Sequence, residues 1–165
     1  MKLSQTKVEL LAPAGKWDIL EAVICAGADA VYIAGKQFNM RMHRSDFNFT
    51  NGQLAQAVEY AHGRNVKIYV TVNNLISNNE MNELYDYLKY LQDINVDAVI
   101  VHDLGVINLV NEMKLTIPMH ASTMMNVHSV EMAIELKNLG VSRIITSRDI
   151  TLSQVKEIGE KCGIE

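Results

Sequence analysis

Gly27-Ala28-Asp29-Ala30-Val31-Tyr32-Ile33 reads as a helix stop, an apolar residue, a polar residue and then a strand. Glycine just past a helix end takes the left-handed conformation that closes the last turn. The nearly unbroken apolar run behind it is how a strand buried on both faces looks. Two other stretches repeat the pattern. Asn95-Val96-Asp97 leads into Ala98-Val99-Ile100-Val101, and Gly140-Val141-Ser142 leads into Arg143-Ile144-Ile145-Thr146. Gly163-Ile164-Glu165 starts it once more, so a further strand is expected behind it. One recurring helix-to-strand junction implies one recurring strand–helix unit.

Outward from these junctions, six strands are expected: Val8–Leu11, Ala30–Ile33, Lys67–Val72, Asp97–Val101, Ile117–His120 and Arg143–Thr146. Pro118 is tolerable only near the start of its strand. The intervening segments carry helix signatures. Thr50…Gln53, Ser77…Glu80 and Thr151…Gln154 each fit a capping box, and Asp103 and Ser129 suit the N-caps of the fourth and fifth helices. Leu54/Ala57/Val58/Ala61 and Leu84/Leu88/Leu91 fall at helical spacing and give one inward stripe each. Six such units predict a parallel sheet of order 1-2-3-4-5-6 with right-handed crossovers and outer helices, an incomplete (β/α) barrel of the TIM type.

The 165 residues, 48% hydrophobic and 21% charged, can bury one core and are expected to form a single domain. A formal charge of −4 argues against a generally basic, nucleic-acid-coating surface, though a local basic patch stays open. Cys25 and Cys162 form no C-x-x-C pair, which favours a reducing compartment and inert thiols. No apolar run approaches the roughly 20 residues of a membrane span, and Met1–Val8 lacks the apolar core of a secretion signal. A cytoplasmic protein that does not enter the membrane is expected.

In a β/α barrel, chemistry sits at the carboxyl ends of the strands. Those positions hold Ala12-Pro13-Ala14-Gly15, a long loop from Gly35 to Phe49 carrying Lys36, Asn39, Arg41, His43, Arg44 and Asp46, then Asn73 and Asn74, His102 and Asp103, His120, Ser122 and Thr123, and finally Ser147, Arg148 and Asp149. His102 and His120, on adjacent strand ends, could share a metal or act as acid and base. Against that, Asp103 can cap the next helix while the histidines bond within the core. No third ligand stands at a compatible spacing, so no metal is assigned. A triad of Ser122, His102 and Asp103 is disfavoured because consecutive strand side chains point to opposite faces. Arg41, Arg44 and Arg148 suit a carboxylate- or phosphate-bearing ligand, with solvated surface arginines as the alternative. The nine methionines, Met119, Met124, Met125 and Met132 among them, read as packing.

Glu9-Leu10-Leu11-Ala12-Pro13-Ala14-Gly15, Gly27-Ala28-Asp29-Ala30-Val31-Tyr32, Ala61-His62, Val70-Thr71-Val72-Asn73, Asp97-Ala98-Val99-Ile100-Val101 and His120-Ala121-Ser122-Thr123 occur in this order. Together they resemble the N-terminal region of the collagenase-like peptidase family, over nearly the whole chain. The resemblance implies a barrel-like catalytic domain. It implies either peptidase activity or oxygen-independent hydroxylation of transfer RNA, ribosomal RNA or a quinone precursor, with an iron–sulfur cluster held by cysteines in complete members. The family's Gly- and Cys-rich signature lies downstream of the matched region, so residues 1–165 are expected to be a truncated N-terminal barrel portion carrying no cluster of its own.

Carried over by position, Arg41, Asn73, His120, Ser122, Thr123 and Arg148 match family residues and are the expected substrate contacts, with His102 beside them. Departures are Ala34-Gly35 for a Gly-Gly pair, His102 and Met124 for Gln, and Asp149 for Glu. Ligand-binding arginines and amides without an activated nucleophile favour hydroxylation over hydrolysis, with this chain inactive alone. The alternative is a non-catalytic half-barrel that grips a ligand or partner. RNA or a small anionic ligand is the expected cargo. Strands one and six, left as open edges, should drive self-association or binding of a complementary C-terminal half, or else leave the chain marginally stable and partly molten.

Overall fold

The computed structural model describes residues 8–44 and 46–165; Met1–Lys7, and with them most of the polar N-terminal segment, lie outside these. Strands and helices alternate: β1 (Leu11–Pro13), α1 (Trp17–Cys25), β2 (Ala30–Ala34), α2 (Asn51–His62), β3 (Lys67–Val72), α3 (Met81–Asp93), β4 (Ala98–Val101), α4 (Leu104–Glu112), β5 (Met119–Ala121), α5 (Val130–Asn138), β6 (Val141–Ile144) and α6 (Leu152–Cys162). All neighbouring strands pair in parallel, in the order β1-β2-β3-β4-β5-β6.

The junctions explain the regularity. Gly27, Asn95, Gly140 and Gly163 all adopt positive φ, at 97°, 64°, 93° and 57°. The polar residue that follows each then reaches back to the preceding unit. Asp29 Oδ2 accepts from the Leu10 amide at 2.9 Å, and Asp97 Oδ2 from the Ile68 amide at 2.7 Å. Ser142 Oγ donates to the Met119 carbonyl at 3.1 Å, and Glu165 Oε1 accepts from Arg143 at 2.5 Å. Asn65 and Lys114 make the same left-handed turn before β3 and β5 without the flanking pattern. The capping boxes at Thr50, Ser77 and Thr151 form, the second closing a 3-10 turn (Asn78–Glu80) that leads into α3. Asp103 and Ser129 cap α4 and α5.

Three strand positions differ from expectation. β1 starts at Leu11 because the exposed Val8 and Leu10 stay outside the ladder, although the Leu10 carbonyl still accepts from Ala30. Pro13, which has no N–H, ends this outer strand where the missing donor is tolerated. β5 starts at Met119, after Pro118, and β6 starts at Val141, because Gly140 completes the reversal and the chain enters the sheet at once.

Successive side chains on a strand point to opposite faces. Val31, Ile33, Ile68, Val70, Val72, Val99 and Val101 pack with buried residues of all six helices in one large core. Ala30, Tyr69, Ala98 and Ile100 form a separate cluster on the other face, with Leu11, Tyr32 and Ile145 against it. The helices therefore cover one face, and the other is the concave lining. Curvature follows from a single contact. In a flat sheet β1 and β6 would lie about 24 Å apart, at about 4.8 Å per strand. Yet Glu9, just before β1, meets Arg143 of β6 at 2.7 Å. The sheet must curl to bring them together, as in a partial barrel. No helix among the described residues is long and apolar enough to cross a membrane.

Candidate ligand-binding site

The carboxyl ends of the strands enclose a cavity of about 360 Å³. Its floor is apolar, from Leu11, Ile100 and Ile145, Tyr32 and Phe47 stand at its walls, and its rim carries Arg41, Asn73, Ser122, Thr123 and Arg148. Five of the seven expected contacts thus converge. The volume lies within the range of small-molecule sites, and the apolar base with a few polar groups at the rim is the usual make-up of such a site.

The loop between β2 and α2 builds one wall, and asparagines hold its shape. Asn39 is buried; its Nδ2 donates to the Gly35 carbonyl at 2.8 Å and its Oδ1 accepts from the Arg41 amide at 2.8 Å. Asn48, at φ 77°, donates through Nδ2 to the Arg41 carbonyl at 2.8 Å, while its amide donates to the Gly15 carbonyl at 3.0 Å. Arg41 is therefore clamped at backbone level from both sides, while its guanidinium makes no hydrogen bond or ion pair among the described residues. The same is true of Arg148. Asn73 Oδ1 accepts from the Met40 amide at 3.4 Å, which leaves its Nδ2 for a ligand. Phe47 closes over Gly15 so tightly that a Cβ there would lie 2.0 Å from the ring.

The third arginine does not join the rim. Arg44 forms a two-point pair with the Asp46 carboxylate, at 3.0 and 2.9 Å, and lies over the Phe47 ring at 4.6 Å. Ser122 is buried and accepts, through Oγ, from the Met124 amide at 3.2 Å, capping the turn Thr123–Met125.

The two histidines lie elsewhere. His102 is half-buried, and its Nδ1 has no partner among the described residues. Asp103 does not orient it: Asp103 Oδ1 accepts from the Gly105 amide at 2.7 Å and Oδ2 from the Ile76 amide at 3.0 Å. His120 is buried on the concave face, edge-on to Tyr69 with centroids 4.7 Å apart. Burial, reinforced by the Arg143 charge, pushes its pKa down to about 4, so the ring is neutral at physiological pH. No group of three or more His, Cys, Asp or Glu side chains able to hold a metal occurs among the described residues. No serine, threonine or cysteine among them is hydrogen-bonded to a histidine. The chain's two cysteines are both free, Cys25 exposed on α1 and Cys162 buried on α6.

A charged group on the same concave face has no counterpart in the sequence reading. Glu9 accepts from Arg143 Nη1 at 2.7 Å, Tyr69 Oη at 2.9 Å and Lys67 Nζ at 3.1 Å. Burial pushes the Glu9 carboxyl up, but Arg143, Lys67 and Tyr69 together hold it down at about 2. The available signal was an arginine at the start of an expected strand, directly after the helix-to-strand junction. Tyr32 and Phe47, the aromatic walls of the cavity, were not singled out by the sequence: one lies in a continuously apolar strand and the other in a mostly polar loop.

Residues 15–165 match the model of Peptidase family U32. An uncharacterized protease of Methanocaldococcus jannaschii is 39% identical over 153 residues, which is 93% of this chain and 36% of that protein. The tRNA hydroxylation protein P1 of Bacillus subtilis is 36% identical over 159 residues, 96% of this chain and 37% of that protein. The chain thus spans about a third of the length of these relatives. A solved U32 peptidase superposes with a TM-score of 0.81 at 18% identity, over the whole of this chain and 69% of that one, which supports the fold alone. By its sequence match over nine-tenths of its length, this chain belongs to peptidase family U32.

Proposed function

We propose that this chain forms the substrate-binding mouth of an RNA-modifying protein, and that its cavity takes a nucleotide displaced from a single-stranded segment. The observation that carries this reading is the pair of unpartnered guanidinium groups, Arg41 and Arg148, on the rim of one cavity whose walls include Tyr32 and Phe47. Single-stranded RNA is read by stacking splayed bases on aromatic rings while cations hold the phosphate. Hydroxylation suits the site better than peptide hydrolysis. Ser122 Oγ caps the next turn, and His120, buried edge-on against Tyr69, neither lines the cavity nor hydrogen-bonds to Ser122. The chemical step belongs to the whole protein; this chain binds, orients and shields.

Calorimetric titration with uridine 5′-monophosphate tests the reading. Arg41→Ala and Arg148→Ala should each weaken binding roughly tenfold to a hundredfold, the loss of one charge-assisted hydrogen bond. The far-UV spectrum should stay unchanged. Affinity unaltered in both variants removes the proposal.

A further inference from the structure

A second cavity, of about 240 Å³, adjoins the first and shares Gly15, Phe47 and Asn48 with it. Phe47 is the partition between the two. The ring stands against Gly15 on the side where any larger residue would collide with it. The far compartment differs chemically from the near one. It is lined by Lys16, Lys36 and Trp17. The Lys16 ammonium stands 5.5 Å from the Phe47 centroid. The Lys36 ammonium donates one hydrogen bond, to the Phe47 carbonyl at 3.0 Å, and has two N–H groups left. The carboxylate that lines this compartment, Asp46, has both oxygens engaged by Arg44. Two lysines with unused donors therefore face a space whose one acid among the described residues is already paired with Arg44.

We propose that this compartment is a phosphate subsite for the nucleotide adjoining the one in the main cavity, so that a single-stranded RNA backbone passes over the Gly15–Phe47 wall. The inference rests on the nucleotide reading of the first cavity. Lysine as a strongly hydrated point charge suits a backbone phosphate whose angle varies, whereas the arginines of the rim suit a fixed, two-point contact. Phe47, with the Lys16 and Arg44 cations over its ring, places positive charge at the crossing point. The assignment gives the site a polarity: base and first phosphate on the Arg41/Arg148 side, next phosphate on the Lys16/Lys36 side.

Trp17 is the chain's only tryptophan and lines the second cavity but not the first, so its emission reports on this compartment. The test compares uridine 5′-monophosphate with the trinucleotide UpUpU on the whole chain. The trinucleotide should bind more tightly and shift Trp17 emission saturably. Lys16→Ala and Lys36→Ala should each weaken trinucleotide binding roughly tenfold while leaving mononucleotide affinity within about twofold. The slope of log affinity against log salt should become shallower by about 0.7 for each lysine–phosphate interaction removed. The Lys16 side chain makes no hydrogen bond among the described residues, so Lys16→Ala reports on binding even where Lys36→Ala disturbs the loop. Trinucleotide affinity equal to wild type in Lys16→Ala, or a trinucleotide that binds no tighter than the mononucleotide, overturns the subsite alone. Wild-type protein that binds neither probe overturns both the subsite and the nucleotide reading.

Discussion

Glu9→Gln is the perturbation that probes the concave face most directly. The carboxylate is 18% exposed and Arg143 14% exposed, so the pair sits largely out of water. Breaking a buried pair by removing one charge costs about 3–5 kcal/mol, because the partner is left uncompensated. Here Arg143 keeps Glu165 at 2.5 Å, and Glu165 is 67% exposed. A partly screened substitute partner reduces the penalty, and about 2–3 kcal/mol is expected. For a chain of this length that is a fall of roughly 5–10 °C in Tm. The acid limb supplies an independent check. The folded carboxyl is depressed to about 2 from an ordinary 4.5. Its contribution is therefore fully present above about pH 4.5 and is lost as pH falls towards 2. Urea titrations of wild type and Glu9→Gln at about pH 7, 4.5 and 2.5 should converge as the pH drops. A difference below about 0.5 kcal/mol at neutral pH, or one that does not shrink in acid, refutes the reasoning. Arg143→Met added to Glu9→Gln should recover part of the loss, since it removes the orphaned charge.

Gly15→Ala places a methyl within 2.0 Å of Phe47, so the ring must swing aside; a loss of about 1–3 kcal/mol in denaturant titration and an altered Phe47 environment by NMR are expected. Asp103→Ala removes the acceptor for both Gly105 and Ile76, and should cost about 1–2 kcal/mol in the same assay with no effect on nucleotide affinity. The Asn126 carbonyl and Asp149 raise the His128 pKa above its usual 6.5, so the tie it makes between the β5 and β6 loops is fully present below pH 6.5 and lost as pH rises through the folded value. An NMR titration of His128 should show that raised midpoint, and Asp149→Asn should lower it.

The fold was legible because its determinants are local. Thr50 and Gln53 are three residues apart, and the Gly27 and Gly140 turns need no distant partner. Strand limits were less legible at the outer strands. Leu10 and Thr146 look like strand residues by composition, but whether they pair depends on how far the neighbouring strand extends. The site was legible as a set of positions and not as a set of orientations. Arg41 and Arg44 stand three apart in one loop, yet the clamps at Asn39 and Asn48 turn one towards the cavity, while Asp46 retains the other. His120 and Ser122 share a short motif, but burial against Tyr69 and capping of the next turn draw them into separate duties. Glu9 and Arg143 lie 134 residues apart, and their meeting depends on the accumulated curl of the sheet, which no local pattern encodes.

The backward-reaching polar residues at the junctions also bear on how errors in alignment are handled. Asp29, Asp97, Ser142 and Glu165 each fasten to the unit immediately before their own, so at these four junctions offset is set against one neighbour at a time. A slip of one residue at any junction would exchange the two faces of every strand downstream of it. Pairwise fastening keeps each step accurate but cannot detect a drift that builds along the series. The Glu9–Arg143 contact can, because it closes only if the intervening offsets add up to the right total. In assembly, then, the junctions act as the counting device and the ion pair as its checksum: a chain with one miscounted strand could satisfy its local clips and still leave a guanidinium stranded on the concave face.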